Sequence, residues 1–267
     1  MDPVCPLVMG VLNVTPDSFS DGGRYLDVAR AVAHGEQLLA EGADIVDVGG
    51  ESTRPGAAPV DADEECRRVL PVVEALAGRV RVSIDTSKAE VAHAAVAAGA
   101  TLVNDVSASL APVAAELGVG WVAMHRRGDP ASMQDDPQYD DVVAEVRDQL
   151  VAWAEDARRL GVSEVWIDPG IGFGKTLDHN LALLGRLDAL VSTGLPVVVG
   201  TSRKSSLGRL LAASDGVDAV PVDDRLEGSI ATATWAMAQG AAMVRVHDVR
   251  PTVQARAVVA GEIEPAA

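Results

Sequence analysis

The chain has 267 residues, of which 48% are hydrophobic and 3% aromatic, so its length permits one large domain or two small ones. Its 22 basic and 39 acidic residues give a formal charge of −17 at pH 7, which argues against a general binder of nucleic acid or anionic membranes. No apolar run is long enough to span a membrane, residues 1–13 lack the features of a targeting signal, and Cys5 and Cys66 have no metal-site spacing. No linker divides the chain, so we expect a single cytoplasmic domain over residues 1–267.

Short apolar runs rich in β-branched residues recur along the chain and predict eight strands. They are Leu7–Asn13, Asp44–Gly50, Val80–Thr86, Thr101–Ser107, Gly120–His125, Glu164–Gly170, Pro196–Ser202 and Met243–Asp248. Helical patterns lie between them, at Asp27–Glu41, Asp61–Ala77, Ser87–Ala98, Pro112–Leu117, Asp140–Leu160, Asp178–Ser192, a stretch from Ser205, Leu226–Gln239 and Thr252–Glu262. Several helical patterns end at a glycine, which is a C-terminal capping signal.

The alternation of strands and helices predicts parallel strands with right-handed crossovers. Eight such units in this length match the size of a TIM (β/α)8 barrel, and near-continuous apolar runs suit strands that helices cover on the outside. The alternative is an open doubly wound sheet, but the GxGxxG fingerprint of its dinucleotide-binding form is absent from the sequence. We therefore predict an α/β fold, a single-domain TIM barrel.

In a TIM barrel the active site lies at the carboxyl ends of the strands. Nearly every predicted strand here ends in polar or ionisable residues: Asn13, Gly49–Arg54, Asp85, Asn104–Asp105, Met124–His125, Asp168, Ser202–Lys204, Arg245 and His247. A single aspartate at such a place is more often a cap than a ligand, because strand ends meet polar loops. The set as a whole favours a functional site.

Three of these residues indicate a heterocycle as ligand. Asp85, Asn104 and Asp168 offer carboxylates and a carboxamide, which can pair with adjacent N–H and amino donors of a flat ring. The five histidines have no metal-ligand spacing, and HExxH, CxxC and GxSxG are absent from the sequence. Covalent nucleophilic catalysis therefore has no support from the sequence, and positioning with electrostatics is favoured.

Other strand ends indicate an anion. Arg245 and His247 alternate on one strand and so face the same side, as a phosphate ligand would require. An internal ion pair, with Asp248 or another acid, explains Arg245 equally well. Lys204 precedes a helical stretch, where a helix N-terminus favours anions. Two long loops, 14–24 and 51–61, follow the first two strands and are expected to act as lids, with Phe19 closing on a ligand.

Eight sequence strings occur in the order found in one known family. They are Met9–Gly23 (MGVLNVTPDSFSDGG), Asp47–Ala57 (DVGGESTRPGA), Ser83–Thr86 (SIDT), Val103–Ser107 (VNDVS), Met124–Gln134 (beginning MH and ending MQ), Asp168–Thr176 (DPGIGFGKT), Ser202–Ser205 (SRKS) and Arg245–Val249 (RVHDV). The first two are long and highly specific. On these strings the chain resembles the dihydropteroate synthases, the sulfonamide-target enzymes of folate biosynthesis.

The resemblance implies a TIM barrel that joins 4-aminobenzoate to 6-hydroxymethyl-7,8-dihydropterin diphosphate and releases diphosphate with Mg2+. It assigns the pterin pocket to Asp85, Asn104, Met124, Asp168 and Lys204. It assigns the diphosphate to Asn13, Arg245 and His247, with Asn13 also the metal ligand. It assigns the 4-aminobenzoate site to Phe19, Thr53, Arg54, Pro55, Phe173 and Ser205. Asp85, Lys204, Arg245 and His247 are the expected catalytic residues, and family members are typically homodimers.

Two departures from the family pattern and two alternative functions accompany the resemblance. Ser206 stands where the family usually has a bulky apolar residue, and Arg126–Arg127 add positive charge after the Met-His pair. The alternatives are a methyltetrahydrofolate–corrinoid methyltransferase on the same barrel and a non-catalytic pterin-binding paralogue. The lid and anion motifs argue against the first, and intact site residues argue against the second.

Overall fold

A computed structural model describes residues 5–15, 24–52, 59–129, 132–218 and 220–261 of the chain. Its strands are β1 (Leu7–Asn13), β2 (Ile45–Gly49), β3 (Arg81–Asp85), β4 (Leu102–Asp105), β5 (Gly120–Met124), β6 (Val165–Asp168), β7 (Val198–Val199) and β8 (Met243–Val246). Its α-helices are α1 (Arg24–Ala40), α2 (Ala62–Leu76), α3 (Ala89–Ala97), α4 (Ala111–Leu117), α5 (Val142–Leu160), α6 (Leu177–Gly185), α7 (Asp188–Val191), α8 (Ser205–Asp215), α9 (Leu226–Ala238) and α10 (Val249–Val259). Each predicted strand contains an observed one.

The strands form one parallel sheet that curves into a nearly closed barrel. Its order is β6-β5-β4-β3-β2-β1-β8-β7, so the strands from β1 to β6 pair in sequence, β7 pairs with β8, and β8 pairs with β1. The remaining gap, between β6 and β7, is bridged where Ile167 pairs with Val197 and the amide of Ile167 donates to the carbonyl of Pro196 at 3.0 Å. The sheet is therefore a nearly closed barrel, and the alternative of an open doubly wound sheet is wrong. That the barrel forms one domain over residues 1–267 stays a prediction.

One apolar layer lies on each side of the sheet. Inside the barrel, one residue from each of seven strands forms a small core: Met9, Ile45, Leu102, Val122, Trp166, Val198 and Met243. A much larger cluster, which includes Val8, Val46 and Ile84, packs between the sheet and the surrounding helices. Alternate residues of each strand thus enter the two layers, which gives every strand an inward face and an outward face.

Helix α5 shows how the local sequence builds the outer shell. The Asp141 side chain caps it by accepting hydrogen bonds from two backbone amides, and Gly161 ends it in a left-handed conformation with φ of 102°. Val143, Val146 and Leu150 recur at helical spacing and are buried, so this face packs onto the barrel. Among the described residues, no helix is both long enough and apolar enough to cross a membrane.

The prediction of one helix over Asp178–Ser192 is wrong in detail. The helix ends at Gly185, Arg186 adopts φ −120° and ψ 39°, and a short second helix begins at Asp188. Glycine is a poor helix former, and the break lets Leu187 enter the core, where it is fully buried. The last helix begins earlier than predicted, at Val249.

Replacing Leu150 by Ala tests the packing of α5. Leu150 is 0% exposed, so the cavity should lower the free energy of unfolding by about 2–5 kcal/mol, measured by urea denaturation. Leu160→Ala on the same helix is the control, because Leu160 is 53% exposed. Equal effects of the two substitutions would contradict the packing described here.

Candidate functional site

The inward faces of the strands bring the polar residues together at one end of the barrel. Met243 lies in the inner core, so Arg245, two residues later on the same strand, faces inward above it. By the same alternation Leu102 leads to Asn104, and Trp166 leads to Asp168. Asp85 pairs in register with Asn104 across β3 and β4 and joins this layer.

Arg245 is held between two carboxylates. Its Nε donates to Oδ2 of Asp47 at 2.7 Å, and its Nη2 donates to Oδ2 of Asp85 at 2.6 Å. Burial lowers the pKa of Arg245, but the two carboxylates outweigh it and leave the pKa above its ordinary value. The prediction that Arg245 could form an internal ion pair is confirmed. Asp248 is not its partner, since Asp248 pairs with Arg203 at 2.5 Å.

Asp47 is a site residue that the sequence reasoning missed. It is 1% exposed, accepts from Arg245, and also accepts from Nδ2 of Asn104 at 2.9 Å. Its other oxygen, Oδ1, is buried without a hydrogen-bond partner among the described residues. Asp47 lies in the middle of β2, two residues after the inward-facing Ile45, so an acid at an inward position of an apolar strand was the available signal.

The contact with Asp47 fixes the amide of Asn104. Because Nδ2 donates to Asp47, Oδ1 of Asn104 is left as the acceptor that a ligand N–H can use. Burial raises the pKa of Asp85 to about 7, although Arg245 opposes the shift. Burial also raises the pKa of Asp168, and Lys204 opposes it. Three oxygen acceptors therefore surround the mouth. Two of them belong to carboxyl groups, those of Asp85 and Asp168, whose pKa values lie above the ordinary value.

Lys204 lies opposite these acceptors at the start of α8. Its Nζ is 2.5 Å from the carbonyl oxygen of Ile171 and 4.7 Å from the ring centroid of Phe173, a cation–π contact. Burial lowers its pKa to about 8, while Asp168 opposes the shift. The backbone of Gly200 passes close by, and a Cβ there would lie 3.8 Å from this Nζ and 3.6 Å from Cβ of Arg245.

The remaining described residues complete the mouth. Nδ1 of His247 lies 3.0 Å from Oγ of Ser202. A Cβ at Gly49 would lie 3.8 Å from Oδ1 of Asn13 and 3.7 Å from Oδ2 of Asp85, so both oxygens border the same corner. Three further residues predicted for the site are Met124, which is buried at the end of β5, Phe173, which is half-buried, and Ser205, which is exposed at the start of α8.

Four predicted site residues lie outside the described residues: Phe19, Thr53, Arg54 and Pro55. The same holds for most of both predicted lid loops, 14–24 and 51–61. Their predicted roles at the 4-aminobenzoate site stay predictions. Of the departures from the family pattern, Ser206 is buried in the first turn of α8, and the guanidinium of Arg127 lies 4.0 Å from the ring of Tyr139 and pairs with Glu145.

The barrel and its polar mouth define a pterin-binding barrel enzyme, since the family model described as "Pterin binding enzyme" matches residues 9–247. The dihydropteroate synthase of Mycobacterium leprae is 52% identical over 261 residues, covering 94% of this chain and 92% of the relative. Two solved dihydropteroate synthases are similar. That of Yersinia pestis, in complex with a sulfonamide drug, has a TM-score of 0.89, 44% identity and coverage of 98% and 96% of the two chains. That of Xanthomonas albilineans with 4-aminobenzoic acid has a TM-score of 0.88, 46% identity and coverage of 97% and 94%. The chain belongs to the dihydropteroate synthase family.

Replacing Asp47 by Asn tests the electrostatics of the mouth. Asp47 contributes to the raised pKa of Asp85, so removal of its charge should shift the Asp85 titration from about 7 to a lower pH. Carboxyl-carbon NMR of the ligand-free protein measures this titration directly. Asp148→Asn on α5, where the side chain is 66% exposed, should leave it unchanged. An unshifted Asp85 titration in Asp47→Asn would show that the two carboxyls do not interact.

Proposed function

We propose that this chain joins 4-aminobenzoate to 6-hydroxymethyl-7,8-dihydropterin diphosphate, forming 7,8-dihydropteroate and diphosphate. The observation that carries the proposal is the layer of acceptors, Asp85, Asn104 and Asp168, next to the cations Arg245 and Lys204. Family membership gives the reaction, and a solved relative holds 4-aminobenzoic acid. The acceptors suit the N–H groups of a pterin ring, and the cations suit a diphosphate.

The reduced pterin supplies the donors that these acceptors need. Its amino group and ring N–H groups can reach Asp85, Asp168 and Oδ1 of Asn104, since Asp47 fixes the orientation of that amide. Lys204 donates towards ring acceptors, and Met124 packs against the ring. Donors from the ligand favour ionised carboxyls, so binding stabilises the charged form of Asp85.

The bond to the diphosphate breaks first in the proposed mechanism. The electron pair leaves with the diphosphate, and positive charge develops on the exocyclic CH2 and the electron-rich ring. Asp85 opposes that charge, while Arg245 and His247 neutralise the leaving group. Arg245 uses two N–H groups in its ion pairs, so others of its five are available to the diphosphate. The aniline nitrogen then attacks the CH2 with its lone pair, and the resulting anilinium loses one proton to solvent or to the released diphosphate. Because an anilinium is a strong acid, this step needs no strong general base.

The proposal includes Mg2+, because oxygen atoms at the mouth are suitable ligands for it. Among the described residues, no three His, Cys, Asp or Glu side chains form a protein-only metal site. Mg2+ is commonly held by one or two protein oxygens together with substrate phosphates, and Oδ1 of Asn13 borders the corner where Asp85 lies. Asn13 would hold the ion, which when bound neutralises charge on the diphosphate.

The 4-aminobenzoate is proposed to lie between Phe173, Ser205 and the loop residues Phe19, Thr53, Arg54 and Pro55. Phe173 and Ser205 are the members that lie within the described residues, and the ring of Phe173 faces Lys204 at the mouth. Sulfonamides would then compete with 4-aminobenzoate for this site. Ser206, the departure from the family pattern, is buried next to Ser205 in the first turn of α8 and so lies beside this site.

Asp85→Asn tests the proposed chemistry. Wild-type protein with the pterin diphosphate, 4-aminobenzoate and Mg2+ should form dihydropteroate, measured by chromatography. The substitution should lower kcat by about 100-fold, because the charge that opposes the cation is lost. Asp156→Asn, at an exposed position of α5, should keep wild-type turnover. A wild-type protein that forms no dihydropteroate would contradict the proposed function, and unchanged kcat in Asp85→Asn would contradict the role of Asp85 alone.

We also propose that the protein is a cytoplasmic homodimer. Helix α9 exposes Leu226 and Trp235, at 41% and 47%, and such apolar side chains suit an interface between two copies. Sedimentation velocity should show a dimer that Trp235→Lys shifts to monomer. Leu160→Lys, at an exposed position of α5, should leave the dimer intact. A wild-type monomer at micromolar concentration would contradict the proposal.

A further inference from the structure

Lys175 is a buried lysine that the proposed mechanism does not use. It is 2% exposed and directly precedes Thr176, which caps α6. Its Nζ lies 3.0 Å from Nδ1 of His125, 3.0 Å from the carbonyl oxygen of Gly170 and 3.0 Å from that of Phe173. A further contact, at 3.2 Å, joins it to the carbonyl oxygen of His125. These acceptors belong to two separate segments of the mouth, which the ammonium joins.

The segment around this ammonium, residues 168–175, carries groups of the pterin pocket. Asp168 begins it, with Oδ1 accepting from the amide of Gly170 at 2.7 Å. The carbonyl of Ile171 receives Lys204, and the ring of Phe173 faces the same lysine. The acceptor at one end and the cation contacts in the middle therefore depend on the path of this short backbone.

The path of this backbone is unusual and close to β5. Gly170 and Gly174 both have a φ of 63°, a conformation that residues with a side chain rarely adopt. A methyl group at Gly170 would overlap the carbonyl oxygen of His125, and one at Gly174 would overlap that of Arg127. The carbonyl oxygens of the segment turn inward around Lys175, and inward carbonyls need a donor because they are buried.

The imidazole of His125 is neutral, and its Nδ1 accepts a hydrogen bond from the ammonium of Lys175. Burial, with the nearby charge of Lys175, lowers the pKa of His125 to about 3, so its Nδ1 can accept a hydrogen bond. Burial lowers the pKa of Lys175 to about 7, while Asp168 opposes that shift, so the side chain is mainly the ammonium below pH 7. Lys175 in turn helps to hold down the pKa of Asp168, together with Lys204 and Arg245.

We propose that Lys175 is a positioning residue for the pterin pocket. Its ammonium fixes segment 168–175 against the end of β5, and it thereby positions the carboxylate of Asp168 and the Ile171 carbonyl that Lys204 contacts. It acts through these residues and does not touch the substrate. The proposal rests on the proposed function, since it assumes that Asp168 and Lys204 bind the pterin ring. Arg245 lies on another strand, β8, and His247 directly follows it, so the binding of diphosphate should be unaffected.

Lys175→Met removes the donor and the charge with a side chain of similar length. Binding of 6-hydroxymethylpterin, measured by calorimetry, should weaken by about tenfold or more. Binding of inorganic diphosphate with Mg2+ should change by less than about twofold. The NMR titration of Asp168 should move to higher pH, because a nearby positive charge is lost.

Two further variants separate charge from shape. Lys175→Arg keeps the charge and should hold the Asp168 titration near its wild-type midpoint, with partial recovery of pterin affinity. Lys175→Gln keeps a donor without the charge and should bind pterin more weakly than Lys175→Arg. Asp156→Asn, at an exposed position of α5 outside this segment, is the control and should keep wild-type pterin affinity.

Several results would overturn the proposal. A folded Lys175→Met protein with wild-type pterin affinity would do so, as would parallel losses of pterin and diphosphate binding, which indicate a merely structural role. If Lys175→Met does not fold, equal pterin affinities of the Arg and Gln variants overturn it. These measurements need no turnover, so a wild-type protein that binds both ligands and forms no product contradicts the proposed function alone.

Discussion

The pairing of Arg245 with Asp47 and Asp85 is the interaction on which the mouth of the barrel depends. The three charges come from β8, β2 and β3, and they meet across the inward faces of these strands. A buried carboxylate without a partner would be protonated or would destabilise the fold. Asp47 and Asp85 therefore both require the guanidinium of Arg245. Asp47 then passes the constraint on to Asn104, whose amide it orients.

This arrangement reconciles an acidic protein with an anionic substrate. The formal charge of −17 is spread over the whole chain, whereas Arg245 and Lys204 lie together at the strand ends, on either side of Gly200. Low local dielectric strengthens charge interactions there, so a few well-placed cations outweigh a distant negative surface. A methyltransferase has no need of Arg245 and His247 for a diphosphate, and a non-catalytic paralogue has no need to keep them, whereas both residues are intact in this chain.

The barrel and most of its mouth could be predicted from the sequence, because both follow from strand periodicity. Apolar runs marked the strands, and the polar residue after each run marked the mouth, as for Asp85 and Asp168. Asp47 escaped because it lies inside a strand, where only inward-facing parity reveals it. The helix break at Arg186 could not be predicted from the sequence, because it depends on the packing of Leu187. Gly185 is the only strong local signal for it.

The three lysines of the chain have a chemical consequence. Lys88 lies between Glu51 and Glu65, Lys175 is enclosed by carbonyl oxygens, and Lys204 lies against Ile171 and Phe173. On most proteins, acylating reagents modify many scattered lysine amines. Here only Lys204 lies at the proposed pterin pocket, so the extent of its acylation would report on the occupancy of that pocket. Covalent labelling of lysine thus becomes a probe of ligand binding in this protein.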